Sequence, residues 1–178
     1  MVSRLQVLDI RLTVWMSEHG ITLLRLSLGV LYLWFGVIKF VPGLSPADEL
    51  ATRTIGALSL GLVPAEVSRP MLALWETLIG LGLLTGRYLR ATLLLLFTQM
   101  LGTVTPMVLF PAETWRVFPI SATLEGQYII KNLVLASAGI VIGATVRGGA
   151  LIANPEAARE AQELQEQKDN VPHRAIGA

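Results

Sequence analysis

The chain has 178 residues, of which 53% are hydrophobic and 15% are charged, and its formal net charge is +1. A soluble domain usually carries about 25% charged residues, so this chain has too few to cover its surface in water. The composition therefore favours a membrane protein. The near balance of charge argues against a nucleic-acid partner. The absence of cysteine excludes a disulfide framework and thiol chemistry by this chain.

The first twenty residues predict a short interfacial helix. One helical face is apolar and another carries arginines, a pattern typical of helices that lie at a membrane surface. The apolar face comprises Leu5, Leu8, Leu12 and Trp15, and the basic residues are Arg4 and Arg11.

Four apolar stretches follow that are long enough to cross about 30 Å of hydrocarbon as helices. They span about residues 21–41, 70–86, 91–110 and 128–146. A second interfacial helix is predicted in the first outer loop, beginning near Ser45 and Pro46. The sequence thus predicts an all-α integral membrane four-helix bundle over residues 21–148.

Residues 149–178 predict a cytoplasmic tail. A polar helix rich in Ala, Glu and Gln begins at Asn154–Glu156, and a polar segment follows after about Asp169. This tail completes a three-part organisation of interfacial helix, four-span domain and cytoplasmic helix.

The basic residues in the flanks predict the orientation. With the N-terminus inside, eight of them lie on the inner side and three on the outer side, which favours two cytoplasmic termini and a multi-pass protein of the plasma (inner) membrane. The inner set is Arg4, Arg11, Arg87, Arg90, Arg147, Arg159, Lys168 and Arg174, and the outer set is Arg53, Arg69 and Arg116.

Charged residues inside the spans are the strongest functional signal. A charge in hydrocarbon costs several kcal/mol unless it is paired, hydrated or able to reach the interface. Lys39, Glu76 and Lys131 all fall in the outer half of the bilayer, which predicts a polar cluster facing the bundle axis. Arg25 lies near the inner end and is interpreted as an anchor that reaches the interface. A purely structural role for the cluster, in which Glu76 neutralises a lysine, is an equal alternative.

Small and polar side chains recur at helical spacing on one face of each span. The polar candidates for ligand binding or proton relay are, besides the three charges, Tyr32, Gln99, Thr103 and Asn132. The glycines predict close helix packing. They are Gly29, Gly36, Gly80, Gly139 and Gly143.

Several kinds of chemistry have no signature in the sequence. His19 and His173 both lie outside the spans, and no residues have the spacing of metal ligands or of a phosphate-binding loop. The sequence therefore predicts no metal site, indicates no self-sufficient enzyme and identifies no catalytic residue. A bundle of this kind could bind an amphipathic small molecule such as a quinone between its helices, with lysine and amide donors meeting its carbonyl oxygens.

At these residues the sequence resembles the DoxX family of four-span membrane proteins, nearest the YkgB-like branch. Three runs carry the resemblance, which covers about residues 21–148. The first run is Arg25-Leu26 through Leu28-Gly29, with Gly36 and Lys39-Phe40. The second is Trp75-Glu76, with Gly80–Leu84 and Gly86-Arg87. The third is Thr105-Pro106, with Glu125–Tyr128 and Lys131–Leu135.

The resemblance implies a subunit of a membrane redox complex, associated with quinone-linked oxidation or with protection against oxidative stress. Relatives that handle disulfides carry paired cysteines, which this chain lacks, so any thiol exchange would require a partner protein. Quinone is the implied cofactor, and the implied partners are the lipid bilayer, other subunits and a second copy of the chain.

Two alternatives remain open at this point. One is a small-molecule transporter or channel that uses the same polar axis, which four unbroken spans make less natural in a monomer. The other is a membrane scaffold without a ligand, in which the small faces serve helix packing alone.

Overall fold

The computed structural model describes residues 4–46 and 48–169. The predicted polar segment after Asp169, with His173 and Arg174, lies outside the described residues. The chain divides into two compact units. One comprises the residues up to Ile21 together with those from Gly149 onward, and the other is Thr22–Gly148.

Four helical segments in the described part of the chain are long and apolar enough to cross a membrane, and the protein is a multi-pass, mostly helical membrane protein. These segments are Leu5–Ile38, Ala65–Thr85, Leu89–Leu109 and Leu124–Thr145. Each overlaps one of the four predicted spans. The difference lies at the ends, where the folded chain extends or interrupts the helices.

The first helix, α1 (Arg4–Ile38), has 35 residues and runs through the segment where a separate interfacial helix was predicted. At about 1.5 Å per residue it is roughly 52 Å long, well beyond the thickness of a hydrocarbon core. Neither glycine nor proline interrupts the sequence until Gly20, and a single glycine does not end a helix whose neighbours favour it. The location of residues 5–20 at the membrane surface stays a prediction.

Helix α2 (Asp48–Leu58) lies between the first two spans, close to where a helix was predicted. Helix α3 (Ala65–Thr85) begins five residues before the predicted start at Pro70. Pro70 lies inside α3 because the proline removes only one backbone hydrogen bond near the first turns, where few bonds exist to lose. Gly86 ends the helix in the left-handed conformation, with its N–H donating to the carbonyl of Gly82 at 3.0 Å.

The third and fourth spans are each interrupted near the ends that face the connection between them. Helix α4 (Leu89–Val104) stops before Pro106, and the short helix α5 (Pro106–Leu109) continues it. Helix α7 (Leu124–Ile130) is separated from α8 (Asn132–Thr145) by Lys131 alone.

Between these two spans lies a compact segment, called the outer segment after the predicted orientation, whose two short strands were not predicted. The short helix α6 (Pro111–Thr114) leads into an antiparallel hairpin of β1 (Trp115–Val117) and β2 (Ser121–Ala122). The fold is therefore predominantly α-helical with one small hairpin in the outer segment.

The core of the Thr22–Gly148 unit is formed by side chains from α1, α3, α4 and α8. The fully or nearly buried residues are Leu28, Tyr32, Ile79, Leu83, Leu93, Leu96, Met100, Ala138 and Ile142. Large apolar side chains also point outward, as Leu94, Leu101 and Leu133 are each more than two-thirds exposed (68%, 75% and 72%). Such an apolar exterior is suited to lipid rather than water.

The other unit contains the polar helix α9 (Pro155–Asp169), which begins at the predicted position. Asn154 Oδ1 accepts a hydrogen bond from the backbone N–H of Glu156 at 2.9 Å, which satisfies one of the free donors at the start of this helix.

Candidate functional site

The candidate site begins with Lys39, which follows the last residue of α1. Its side chain is buried, and the Nζ donates to the carbonyl of Phe35 at 3.3 Å. The carbonyls at a helix C-terminus carry partial negative charge, so a lysine there is favourably placed. The same Nζ lies 2.6 Å from Glu76 Oε2, forming an ion pair between α1 and α3.

Glu76 is the centre of the site because each of its carboxylate oxygens has a different partner. Oε2 accepts from Lys39, and Oε1 accepts from Gln99 Nε2 at 2.7 Å. All three residues are 8% exposed. Together Lys39, Glu76 and Gln99, here called the Glu76 network, connect α1, α3 and α4 through charge-assisted hydrogen bonds, which are stronger than neutral ones.

Polar groups without a partner lie next to this network. Tyr32 is 4% exposed, lies within electrostatic range of the Glu76 carboxylate, and has a buried Oη without a hydrogen-bond partner among the described residues. Gln99 Oε1 and Thr77 Oγ1 are likewise buried and unpartnered within that part of the chain. Leaving a buried polar atom unsatisfied costs about 1–3 kcal/mol, so such atoms are uncommon and require a reason.

Two glycines allow α1 and α3 to approach closely enough for the ion pair to form. A Cβ on Gly36 would lie 2.6 Å from the Thr77 backbone nitrogen, and a Cβ on Gly80 would lie 2.5 Å from the backbone nitrogen of Leu33. Both distances are shorter than a real Cβ tolerates. The other three predicted packing glycines also face neighbouring helices, with Gly29 against Leu84 and, less tightly, Gly139 against Phe97 and Gly143 against Leu93.

The structure separates Lys131 from the predicted three-charge cluster. Its Nζ lies 4.0 Å from the centroid of the Tyr128 ring and 5.9 Å from that of Phe35, and the residue is exposed. Within the described residues it forms neither an ion pair nor a hydrogen bond with Glu76. The side chain of Lys131 instead stacks on the aromatic rings of Tyr128 and Phe35 as cation–π contacts.

Two further predicted residues lie outside the hydrogen-bonded network. Thr103 Oγ1 donates to the carbonyl of Met100 in its own helix at 2.9 Å, so its hydroxyl is satisfied locally. Asn132 begins α8 directly after Lys131 and is half-buried. The place that the prediction assigned to Lys131 is taken by Gln99, which was among the candidates but was not placed beside Glu76.

Arg25 has a role that differs from the predicted interfacial anchor. Its Nη1 donates to the carbonyl of Leu83 and, at 3.2 Å, to that of Leu84. These carbonyls belong to the last turn of α3, where they have no partner within the helix. Arg25 therefore caps α3. This role could not be predicted from the sequence alone, because it depends on α1 packing beside α3.

The outer segment is held to α2 by a second ion pair. Arg53 Nη1 and Nη2 donate to the two carboxylate oxygens of Glu113 at 3.1 and 2.7 Å. The guanidinium also lies 4.7 Å from the centroid of the Phe110 ring. The Glu113 carboxylate raises the pKa of Arg53 above its usual value through a hydrogen bond and its negative charge.

The hairpin is joined to α7 by a tight backbone contact. Thr114 is fully buried, and its carbonyl accepts from the backbone N–H of Thr123 at 3.0 Å. Thr123 in turn caps α7, because its Oγ1 accepts from the N–H of Gly126 at 3.1 Å.

Comparisons of the chain with protein-family models, with curated proteins and with solved structures found no match. The resemblance to the DoxX family thus stays a prediction. Among the described residues, no group of three or more His, Cys, Asp or Glu side chains is placed to hold a metal ion. The site offers a carboxylate, an ammonium, an amide and a phenol, which form hydrogen bonds, and the ionisable groups among them can exchange protons.

Proposed function

We propose that this protein is a multi-pass subunit of a quinone-linked oxidoreductase complex, similar to members of the DoxX family. It resides in the plasma membrane with both termini in the cytoplasm, and the Glu76 network with Tyr32 binds the polar end of a quinone or a similar amphipathic molecule. The electron-transferring groups belong to partner subunits.

The observation that carries this proposal is the pair of unpartnered buried groups beside a paired carboxylate. Tyr32 Oη can donate to a quinone carbonyl, and Gln99 Oε1 can accept from the hydroxyl of a quinol. The Lys39–Glu76 pair has no net charge, so a neutral ring next to it suffers little electrostatic penalty. Glu76 is the group that can exchange a proton when a quinone and a quinol interconvert.

The surroundings of the network suit an amphipathic ligand. Tyr32 belongs to the same buried apolar core as Leu28, Ile79 and Leu96, so an apolar ring and tail would remain among apolar side chains while the oxygens reach the polar groups. Binding sites for such molecules are typically apolar with a few convergent polar groups.

The test is to purify the full chain in mild detergent from native membranes, extract it with organic solvent and quantify quinone per protein by mass spectrometry. Wild type should retain quinone. Tyr32→Phe should lower retention about fivefold, because one hydrogen bond to the ligand is lost. Tyr88→Phe is the matched control, since Tyr88 is 86% exposed and should change nothing. Folded wild type that retains no quinone would overturn the proposal.

The glycine contacts favour one other candidate, a membrane scaffold without a ligand. Gly36 and Gly80 bring α1 and α3 together by themselves, so the ion pair could serve only to set helix register. In that case Tyr32→Phe removes an unsatisfied hydroxyl and should leave cellular oxidant sensitivity unchanged while raising thermal stability. With a ligand, the same variant should increase oxidant sensitivity even though the protein accumulates normally.

A further inference from the structure

A groove of about 390 Å³ lies between α4 and α8, away from the Glu76 network. Arg90 and Arg147 line it together with apolar residues, among them Leu93, Phe97 and Gly143. We call this the arginine groove. Arg90 is in the first turn of α4, and Arg147 follows the end of α8, so both guanidinium groups are at the same end of the bundle.

Neither arginine of the groove has an acidic partner among the described residues. No Asp or Glu occurs between Glu76 and Glu113, or between Glu125 and Glu156, so α4 and α8 are free of acidic side chains. None of the ion pairs among the described residues includes Arg90 or Arg147. The N-terminus of α4 adds positive potential through its free backbone N–H groups, which increases the attraction for an anion.

The rest of the groove is apolar and extends along the helices away from the arginines. Towards the bundle centre, α4 and α8 close together at Gly139, where a Cβ would lie 3.2 Å from Phe97 Cζ. One turn nearer the arginines, the missing side chain of Gly143 leaves an open channel beside Leu93. Two unpaired cations at the mouth of an apolar channel match an anionic head group attached to a hydrocarbon chain.

We propose that the arginine groove binds one anionic phospholipid, with the phosphate between Arg90 and Arg147 and an acyl chain along Phe97 and Gly143. The predicted orientation places this end at the cytoplasmic leaflet, where basic pockets between spans meet anionic lipids. The proposal is independent of the Glu76 network, since no residue is shared between the two sites.

The test uses the full chain in detergent, titrated with phosphatidylglycerol or with phosphatidylcholine of identical acyl chains, and native mass spectrometry counts the bound lipid. One phosphatidylglycerol should bind in preference to phosphatidylcholine. Arg90→Ala and Arg147→Ala should each weaken this binding about fivefold. Arg87→Ala is the matched control, because Arg87 is exposed at the same end but does not line the groove.

A second variant tests the apolar half separately. Gly143→Leu fills the channel without changing charge, and it should weaken phosphatidylglycerol binding. In a separate competition experiment on wild type, inorganic phosphate alone should fail to displace the lipid. Equal losses in Arg87→Ala, Arg90→Ala and Arg147→Ala would overturn the proposal in favour of a diffuse basic surface. Unchanged binding in Gly143→Leu, or displacement by inorganic phosphate, would equally overturn it. Arg90→Gln and Arg147→Gln replace the alanine variants if those do not purify as folded protein.

Discussion

Two of the three ion pairs among the described residues have nearly the same length but very different surroundings. Lys39 and Glu76 are 2.6 Å apart, with side chains 9% and 11% exposed. Arg53 and Glu113 are 2.7 Å apart, with both side chains 44% exposed. Equal distances therefore do not imply equal contributions to stability, because the medium sets the strength of the attraction and the penalty for losing a partner.

Removing one partner should destabilise the folded protein more for the buried pair than for the exposed pair. A buried charge that loses its partner remains in a medium of low dielectric constant, and the penalty falls on the folded state. An exposed charge that loses its partner is solvated by water. Three predictions test this difference, in order of decreasing expected effect.

Glu76→Ala should produce the largest loss. It leaves the Lys39 ammonium buried without an anion and the Gln99 amide without an acceptor, so the free energy of unfolding should fall by about 3–5 kcal/mol. The measurement is an SDS unfolding titration of the purified protein followed by circular dichroism.

The matched control for that variant removes both charges at once. Lys39→Met combined with Glu76→Leu should recover most of the stability, because apolar side chains of similar size often replace a buried pair without net loss. If the double variant were as unstable as Glu76→Ala, packing rather than charge would explain the loss.

Gly36→Ala should have an intermediate effect. The added methyl group would lie 2.6 Å from the Thr77 backbone nitrogen, so α1 must move away from α3 and carry Lys39 away from Glu76. Overpacking of this kind typically costs about 1–3 kcal/mol. Gly102→Ala is the control within α4, since a Cβ there meets no atom within 4 Å. If Gly36→Ala and Gly102→Ala were equally stable in the same titration, the close approach of α1 and α3 would be contradicted.

Arg53→Ala should have the smallest effect, a slight decrease in thermal stability that disappears in 1 M salt, where the screening length is about 3 Å. The raised pKa of Arg53 means that the charged form is favoured on folding. The contribution of the Arg53–Glu113 pair to stability is fully present below the usual arginine pKa. It is lost only as pH rises through the still higher pKa of Arg53 in the folded protein, so it should not change between about pH 7 and pH 10. Thermal scans of wild type and variant at both pH values measure this. A difference as large as that of Glu76→Ala would contradict the comparison.

Much of the fold could be predicted because a bilayer imposes simple demands on sequence. A span needs about 20 apolar residues, and all four spans were found from this requirement alone. The helix ends were harder to predict, because they depend on local exceptions. Pro70 lies within α3 although proline usually marks a boundary, and Lys131 interrupts the fourth span without any glycine or proline.

The candidate site could be predicted in part. Lys39 and Glu76 were found because charges inside a span need partners, and their pairing follows from depth. Lys131 satisfied the same depth argument, yet it stacks on Tyr128, because depth does not determine which way a side chain at a helix break points. Gln99 became the third member of the network because α4 packs against α3, which spacing within one helix cannot reveal.

The sequence by itself determined that the chain enters a membrane and which segments cross it. It also identified the charged residues that are costly in hydrocarbon unless they are paired. Only the tertiary structure decided which residues meet Glu76, namely Lys39 and Gln99. Glycines at Gly36 and Gly80 let two backbones approach, and that approach brings Glu76 to Lys39 and Arg25 to the end of α3. The hydrophobicity of a segment is the sum of the contributions of its residues, so it can be read from the sequence. A hydrogen bond of this kind requires two atoms from distant parts of the chain to meet, which only the tertiary structure shows.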